Sequence, residues 1–326
     1  MTHPVPMVEI WRGPFQESVH TGHAVICDAN GEIVEAWGDP DRILLSRSAS
    51  KMIQALPLIE SGAADAHNLT PAHLALACAS HSGMTLHTRM VRNWLNVLEL
   101  TDSDLRCGAH FPYDRDTEVS MIAKGETPCQ YHNNCSGKHS GFLTLTKHLR
   151  AGPDYIDPDH PVQQAVRDAY ARTTNEDPTG FGIDGCSAPN FATTLHGMAR
   201  AMAHFASSPE DSAEARLHRA MRAHPEYVAG TGRACTELMR AAGGKIAIKT
   251  GAEGVYNAIL PDQKLGITLK ITDGTTRASE CAMAALLVKL GVLDNDHPAV
   301  AKVLNAPITN RRNIQTGWLR AAPPLI

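Results

Sequence analysis

The sequence predicts an α+β fold, with an antiparallel sheet drawn from both ends of the chain, flanked by helices, and a mainly helical lobe between them. Three observations carry this expectation. Near the N-terminus, HAVICDANGEIVEAWG sets two apolar-rich arms around Asn30-Gly31, the strongest short hairpin signal. Near the C-terminus, GKIAIKTGA, GVYNAILPD and KLGITLKITDG alternate as strands do, with turn residues between, and read as an antiparallel meander. The stretch between them carries apolar residues at helical spacing, one segment after another. Pairing the hairpin with the meander is the economical solution. It gives one unit with an α/β lobe at about 1–60 and 240–326 and a helical lobe at about 61–239. A ligand site is expected at the seam.

The elements follow in order. MVEIW at 7–11 reads as a short strand. A helix starts near Ser48, capped by Ser48 or Ser50, with Met52, Ile53, Leu56 and Leu58 on its apolar side. Pro57 falls inside it and predicts a kink or break. Thr70-Pro71 is an N-cap followed by a proline at the first helical position, and AHLALACAS beyond it is apolar enough to be buried. TLHTRMVRNWLNVLEL reads as an amphipathic helix capped by Thr85, and CGAHFPYDRD as a turn-rich loop. A helix is expected from about Ser136 through GFLTLTKHL, followed by VQQAVRDAYARTT, TLHGMARAMAHFA, SAEARLHRAMRAH and TELMRAAGG. TRASECAMAALLVKLG is a long helix after the meander.

Composition narrows the function classes. With 326 residues, 43% hydrophobic and 20% charged, the balance is that of a globular protein with an ample core. A net charge of −4 supplies no field for a polyanion, so nucleic acid is not expected as a partner. No apolar segment reaches bilayer-spanning length, and MTHPVPMVEIW lacks the basic-then-apolar pattern of a signal peptide. A cytoplasmic protein with no membrane association is therefore expected. The eight scattered cysteines then read as small buried hydrophobes rather than a disulfide scaffold.

Two short motifs point to serine chemistry. In Ser48-Ala49-Ser50-Lys51, serine and lysine are spaced i and i+3, which puts them on one helix face. A serine hydroxyl needs a base to take its proton, and a lysine whose pKa is lowered by burial and positive charge is one. The pattern arises by chance about once in a chain this long, so alone it decides little. Lys249-Thr250-Gly251 sits on the meander, and K-T-G on an edge strand is the partner of S-x-x-K in penicillin-recognising serine enzymes. Its glycine would let substrate lie against the strand. The third member of that set, S-D-N, is absent; Tyr131-His132-Asn133 has only a loosely similar shape. Ser80 closes the apolar helix, as a cap or as a functional group; in the second case it must reach Lys51 or Lys249. A third cluster, Cys135, His139, Asp184 and Cys186, has the soft ligands of a tetrahedral zinc site, although its spacing is not diagnostic and two buried free cysteines are the commoner explanation of such residues.

The blocks SRSASKMIQALPLIESGAAD, ALACASHSG, YHNNCSGKHSGFL, GIDGCSAPNFA and KIAIKTGAEGVYNAILP, in that order, resemble the rhizobial-type L-asparaginase II family from about Val8 to Gly291. The resemblance implies a fold related to penicillin-binding proteins, serine β-lactamases and serine glutaminases. It implies L-asparagine hydrolysis by two Ser–Lys pairs, Ser48 with Lys51 and Ser80 with Lys249, Lys245 being the rival of Lys249. It implies a zinc ion, Zn(2+), held by Cys135, Lys138 and Cys186 with Asp184 close by, which replaces His139 in the ligand set. That ion is read as a positioning element rather than one that activates the nucleophile. Arg47 and His139 are implied in the substrate pocket, Arg47 for the substrate α-carboxylate. Backbone amides near Ser48 and after Gly251, at Ala252, suit an oxyanion hole. A homodimer is implied as well. Rival readings are a serine glutaminase or penicillin-type amidase, a zinc-dependent amidohydrolase with metal-activated water, and a non-catalytic amino-acid binder.

Overall fold

In the computed structural model, which describes residues 3–325, the Asn30-Gly31 turn joins two antiparallel strands as its sequence predicts. The Asp28 carboxylate accepts from the amides of Asn30 and Glu32 at 2.9 and 3.0 Å, and Gly31 takes the left-handed φ of +79° that the turn needs. The chain falls into two compact units. The first comprises the chain up to Ala49, Thr193–Ser207, and everything from Glu237 onward; the second comprises Ser50–Ala192 and Ser208–Thr236.

The first unit is built on an eight-stranded antiparallel sheet. Its strands are β1 (Val5–Arg12), β2 (Phe15–Cys27), β3 (Ile33–Trp37), β4 (Ala247–Thr250), β5 (Val255–Leu260), β6 (Leu265–Ile271), β7 (Pro307–Thr309) and β8 (Gln315–Ala321). Their order is β7-β8-β1-β2-β6-β5-β4, with β3 branching from β2. The N-terminal hairpin therefore meets the C-terminal meander in one sheet, in a register running from Gly22↔Ile271 to Cys27↔Gly266. The α+β expectation is met. Two strands extend it: β2 is far longer than the hairpin arm suggests, and β8 pairs with β1 from Val8↔Ala321 to Arg12↔Gly317. The helix Thr276–Lys289 lies against the sheet.

The helix Leu195–Ser207 also belongs to this unit, although its sequence reads as one of a central run of helices. The reason is a single bare position. A Cβ on Gly266 would lie 2.0 Å from Ala203 N and 2.4 Å from Ala199 O, so only glycine lets the helix backbone rest on β6.

The second unit is mainly helical: Lys51–Glu60, Pro71–Ala77, Thr85–Val97, Arg115–Lys124, Ser136–His148, Pro161–Thr174 and Ala213–Ala223, with a small hairpin pairing Phe181–Ile183 to Pro189–Phe191. Three local expectations are corrected. Pro57 does not end its helix, which continues to Glu60; its missing N–H removes one backbone bond in a helix buried from Lys51 to Leu58. Thr85 is the first helical residue rather than the cap, which is Met84. Ser50 holds the N-cap position but bonds the Tyr170 hydroxyl instead of the helix. No described helix is long and apolar enough to cross a membrane.

Buried histidines are a feature of this unit. His81 and His87 stack with ring centroids 4.8 Å apart. Burial holds His87 and His218 down at about 4 and His81 well below the ordinary value, the neighbouring His87 adding to the effect on His81. These rings are neutral in the folded protein, whereas in the unfolded chain each takes a proton near pH 6.5. Their contribution is fully present above pH 6.5 and is lost as pH falls toward 4. The urea midpoint should stay level from pH 8 to 6.5 and drop steeply by pH 4.5. A level midpoint down to pH 4.5 would contradict the assignment.

Candidate active site

In the first unit the chain approaches Ser48 through a 3₁₀ turn, Arg47–Ser50. Ser46 and Ala49 are fully buried and Ser48 is half-buried. Arg47 has a left-handed φ of +50°, which costs a non-glycine residue on the order of 1 kcal/mol and recurs at functional sites. The turn is held from below by the end of β4. A Cβ on Gly251 would lie 2.7 Å from Ser46 O and 2.9 Å from Ala49 N. The glycine that the motif suggested for substrate approach therefore admits the protein's own backbone. Lys249 lies on the sheet's edge strand, as expected of the motif, 1% exposed, and its Nζ donates to Thr250 O at 2.6 Å. Two amides near the turn are already committed: Ala49 N donates to Ser46 O at 3.1 Å and Gly251 N to Val255 O at 2.8 Å. Ala252 is exposed just beyond.

In the second unit Lys51 opens its helix with no solvent exposure. Its Nζ contacts Ala79 O, Ser80 Oγ at 3.1 Å and Cys135 Sγ at 3.1 Å. Ser80 is not a helix cap: it lies past the helix end, in an extended segment whose amides at Ser80 and Ser82 donate to Val228 O and Ala229 O, each at 2.9 Å. It thus satisfies the condition for a functional Ser80 by reaching Lys51.

From Cys135 the polar cluster continues. Cys135 Sγ donates to Asn134 Oδ1 at 3.4 Å; the neighbouring Cys186 sulfur, with burial, holds the Cys135 thiol well above its ordinary value, while Cys135, with Lys138 and His139, holds Cys186 well below it. Lys138 Nζ donates to Cys186 Sγ at 3.0 Å. Burial acts to lower the Lys138 pKa, but the sulfurs of Cys186 and Cys135 outweigh it, with Asp184 adding in the same direction, so it stands above its ordinary value. His139 is fully buried and lies against Cys186 without a hydrogen bond of ordinary geometry on Nε2. Burial, opposed by Cys186, holds it at about 4. The Arg106 amide donates to Tyr155 Oη at 2.7 Å, and that hydroxyl hydrogen-bonds His139 Nδ1 at 2.8 Å.

Among the described residues, no three His, Cys, Asp or Glu side chains are arranged to hold a metal ion, so the quartet Cys135, His139, Asp184 and Cys186 is not a ready cage. Cys135, Cys186 and Lys138 do converge, and two sulfurs with one amine nitrogen are a donor set that suits zinc. Tyr155, between Pro153-Asp154 and Asp157-Pro158, and Asn257, on an apolar strand, carried no sequence signal of a role. The tight seat of the 46–49 turn yields a test. Gly251→Ala should lower stability by about 1–3 kcal/mol, read from urea unfolding. Gly152→Ala, where an added Cβ meets nothing within 4 Å, is the control and should be near neutral.

A search of curated proteins returns no match. Solved structures similar to this chain include a putative β-lactamase from Bacteroides dorei, 13% identical, covering 77% of this chain and 84% of that one with a TM-score of 0.40. A β-lactamase from Mycobacterium bovis is 12% identical, covering 82% and 94% with a TM-score of 0.43. A crystal structure of Mglu in its native form is 14% identical, covering 84% of this chain and 66% of that one with a TM-score of 0.48. The family described as L-asparaginase II matches residues 8–321, nearly the whole of the chain, and this protein belongs to that family of amidohydrolases.

Proposed function

We propose that the protein is an L-asparaginase, hydrolysing the side-chain amide of L-asparagine to L-aspartate and ammonia through an acyl-enzyme. The observation that supports this most is Lys51, a fully buried lysine with Nζ 3.1 Å from Ser80 Oγ and three residues beyond Ser48. Its Nζ donates to Ser80 Oγ as well as to Ala79 O and Cys135 Sγ, so a buried lysine lies within hydrogen-bond reach of a serine hydroxyl.

In this reading Ser48 Oγ attacks the amide carbon and its proton passes to Lys51. The oxyanion takes hydrogen bonds from the amides of Ser48 and Ala252, since those of Ala49 and Gly251 are spent. Ser80, with Lys51 and Lys249, returns the proton to the leaving nitrogen, ammonia departs, and water then hydrolyses the Ser48 ester. Arg47 pairs with the substrate α-carboxylate. His139, buried behind Cys186, supports the cluster rather than touching substrate.

A zinc ion would be held by Cys135, Lys138 and Cys186 with Asp184 beside it, Lys138 giving up its proton. When bound it supplies fixed positive charge that positions the substrate. Removing it with a chelator should raise KM several-fold with a smaller fall in kcat, and Cys186→Ala should copurify with less than one-tenth of the parent's zinc by elemental analysis. Full zinc content in Cys186→Ala would remove the proposed ligand set.

A second reading, with Ser80 as nucleophile, is favoured by the same 3.1 Å contact. Ammonia release from L-asparagine and L-glutamine in the parent, Ser48→Ala, Lys51→Met and Ser80→Ala decides the matter. We expect asparagine to be preferred at least tenfold in kcat/KM, a margin of roughly 1–3 kcal/mol for one methylene. Ser48→Ala and Lys51→Met should each be inactive, and the double variant no worse. Substantial turnover by Ser48→Ala, with Ser80→Ala dead, would transfer the role to Ser80. Equal specificity constants for the two amides would overturn the asparaginase reading.

A further inference from the structure

We infer that Asn257 is a positioning residue for the nucleophile, acting through the carbonyl of Ala49; the inference rests on Ser48 being that nucleophile. Lys249, Asn257 and Thr268 face one another across β4, β5 and β6, paired Lys249↔Asn257 and Asn257↔Thr268. Directly opposed residues point to the same face of a sheet, so these three form a polar row. Asn257 and Thr268 are fully buried. Thr268 Oγ1 donates to Asn257 Oδ1 at 2.9 Å, which sets the orientation of the amide. Asn257 Nδ2 then donates to Ala49 O at 3.0 Å.

That carbonyl is one residue past Ser48, on the turn whose other side is pinned by Gly251. The surroundings are apolar: Val25, Val255, Leu195 and Ala199 pack with Ala49 in one cluster. Burying an amide there costs free energy unless both ends are bonded. A leucine of similar size would fill the space with no such demand. What the amide adds is direction. With Gly251 it holds the Arg47–Ala49 backbone, including its left-handed residue, in one conformation, and so fixes the height and angle of Ser48 Oγ above the sheet.

The test is steady-state kinetics on L-asparagine with melting temperature measured on the same samples. Asn257→Leu should lower kcat about 10- to 100-fold with KM within about twofold, a loss of the size that small misplacements of a reacting group produce. Thr268→Val, which frees the amide to rotate, should lower kcat several-fold, and Thr268→Ser should restore it to within twofold of the parent. Equal kcat in Thr268→Val and Thr268→Ser, or parental kcat in a folded Asn257→Leu, overturns the inference while Ser48→Ala remains inactive. An active Ser48→Ala removes the nucleophile reading and this inference with it. Should Asn257→Leu not fold, the Thr268 pair decides alone.

Discussion

A lysine nitrogen without access to water must be surrounded by acceptors, and Lys51 is such a nitrogen. Its partners come from two other segments, Ala79-Ser80 and Cys135. One atom thereby ties the helix Lys51–Glu60 to the extended stretch after Pro71–Ala77 and to the start of Ser136–His148. The chain of contacts runs on through Cys186 to the Phe181–Ile183 hairpin region, and through His139 and Tyr155 to the Arg106 backbone. Losing one partner from a buried network of this kind leaves the others unsatisfied, so the members stand or fall together.

The first unit supports its part of the machinery differently. Bare backbone at Gly251 and a single oriented amide at Asn257 hold the Arg47–Ser50 turn. Contacts of this kind are short and directional but uncharged, so salt and pH leave them alone. Under the proposed mechanism the two modes suit their tasks: proton handling needs exchangeable groups near one another, whereas holding a nucleophile needs rigidity.

Much of this was legible in the sequence because the signals were local. Asn30-Gly31 declares its hairpin, the meander alternates cleanly, and S-x-x-K followed by K-T-G on a strand points to serine chemistry. What escaped was non-local. The strand Gln315–Ala321 alternates weakly, with a half-buried pattern, and is a strand because β1 offers it an edge. The helix Leu195–Ser207 looks like its neighbours, and only the missing side chain at Gly266, sixty residues on, sends it to the sheet. Pro57 was expected to interrupt its helix; burial along the helix outweighed one lost backbone bond. Among site residues, Ser80 had to be argued from its possible partners, since only folding brings it to Lys51. Asn257 had no signal at all, because an asparagine on a strand acquires meaning only from the carbonyl opposite it.

The path of the chain through the sheet has a consequence for synthesis. β1 and β2 leave the ribosome first, yet the strands that flank them, β8 and β6, come last: Val8 pairs with Ala321 and Gly22 with Ile271. Both outer edges of this early hairpin therefore stay unpaired while more than two hundred residues are translated. Unpaired apolar edges recruit other strands, including those of nascent neighbours. The second unit meets no such delay, since the long segment Ser50–Ala192 supplies most of it. The nascent chain thus carries a helical segment nearing completion while its sheet edges are still open, an exposure that ends only when the late strands pair.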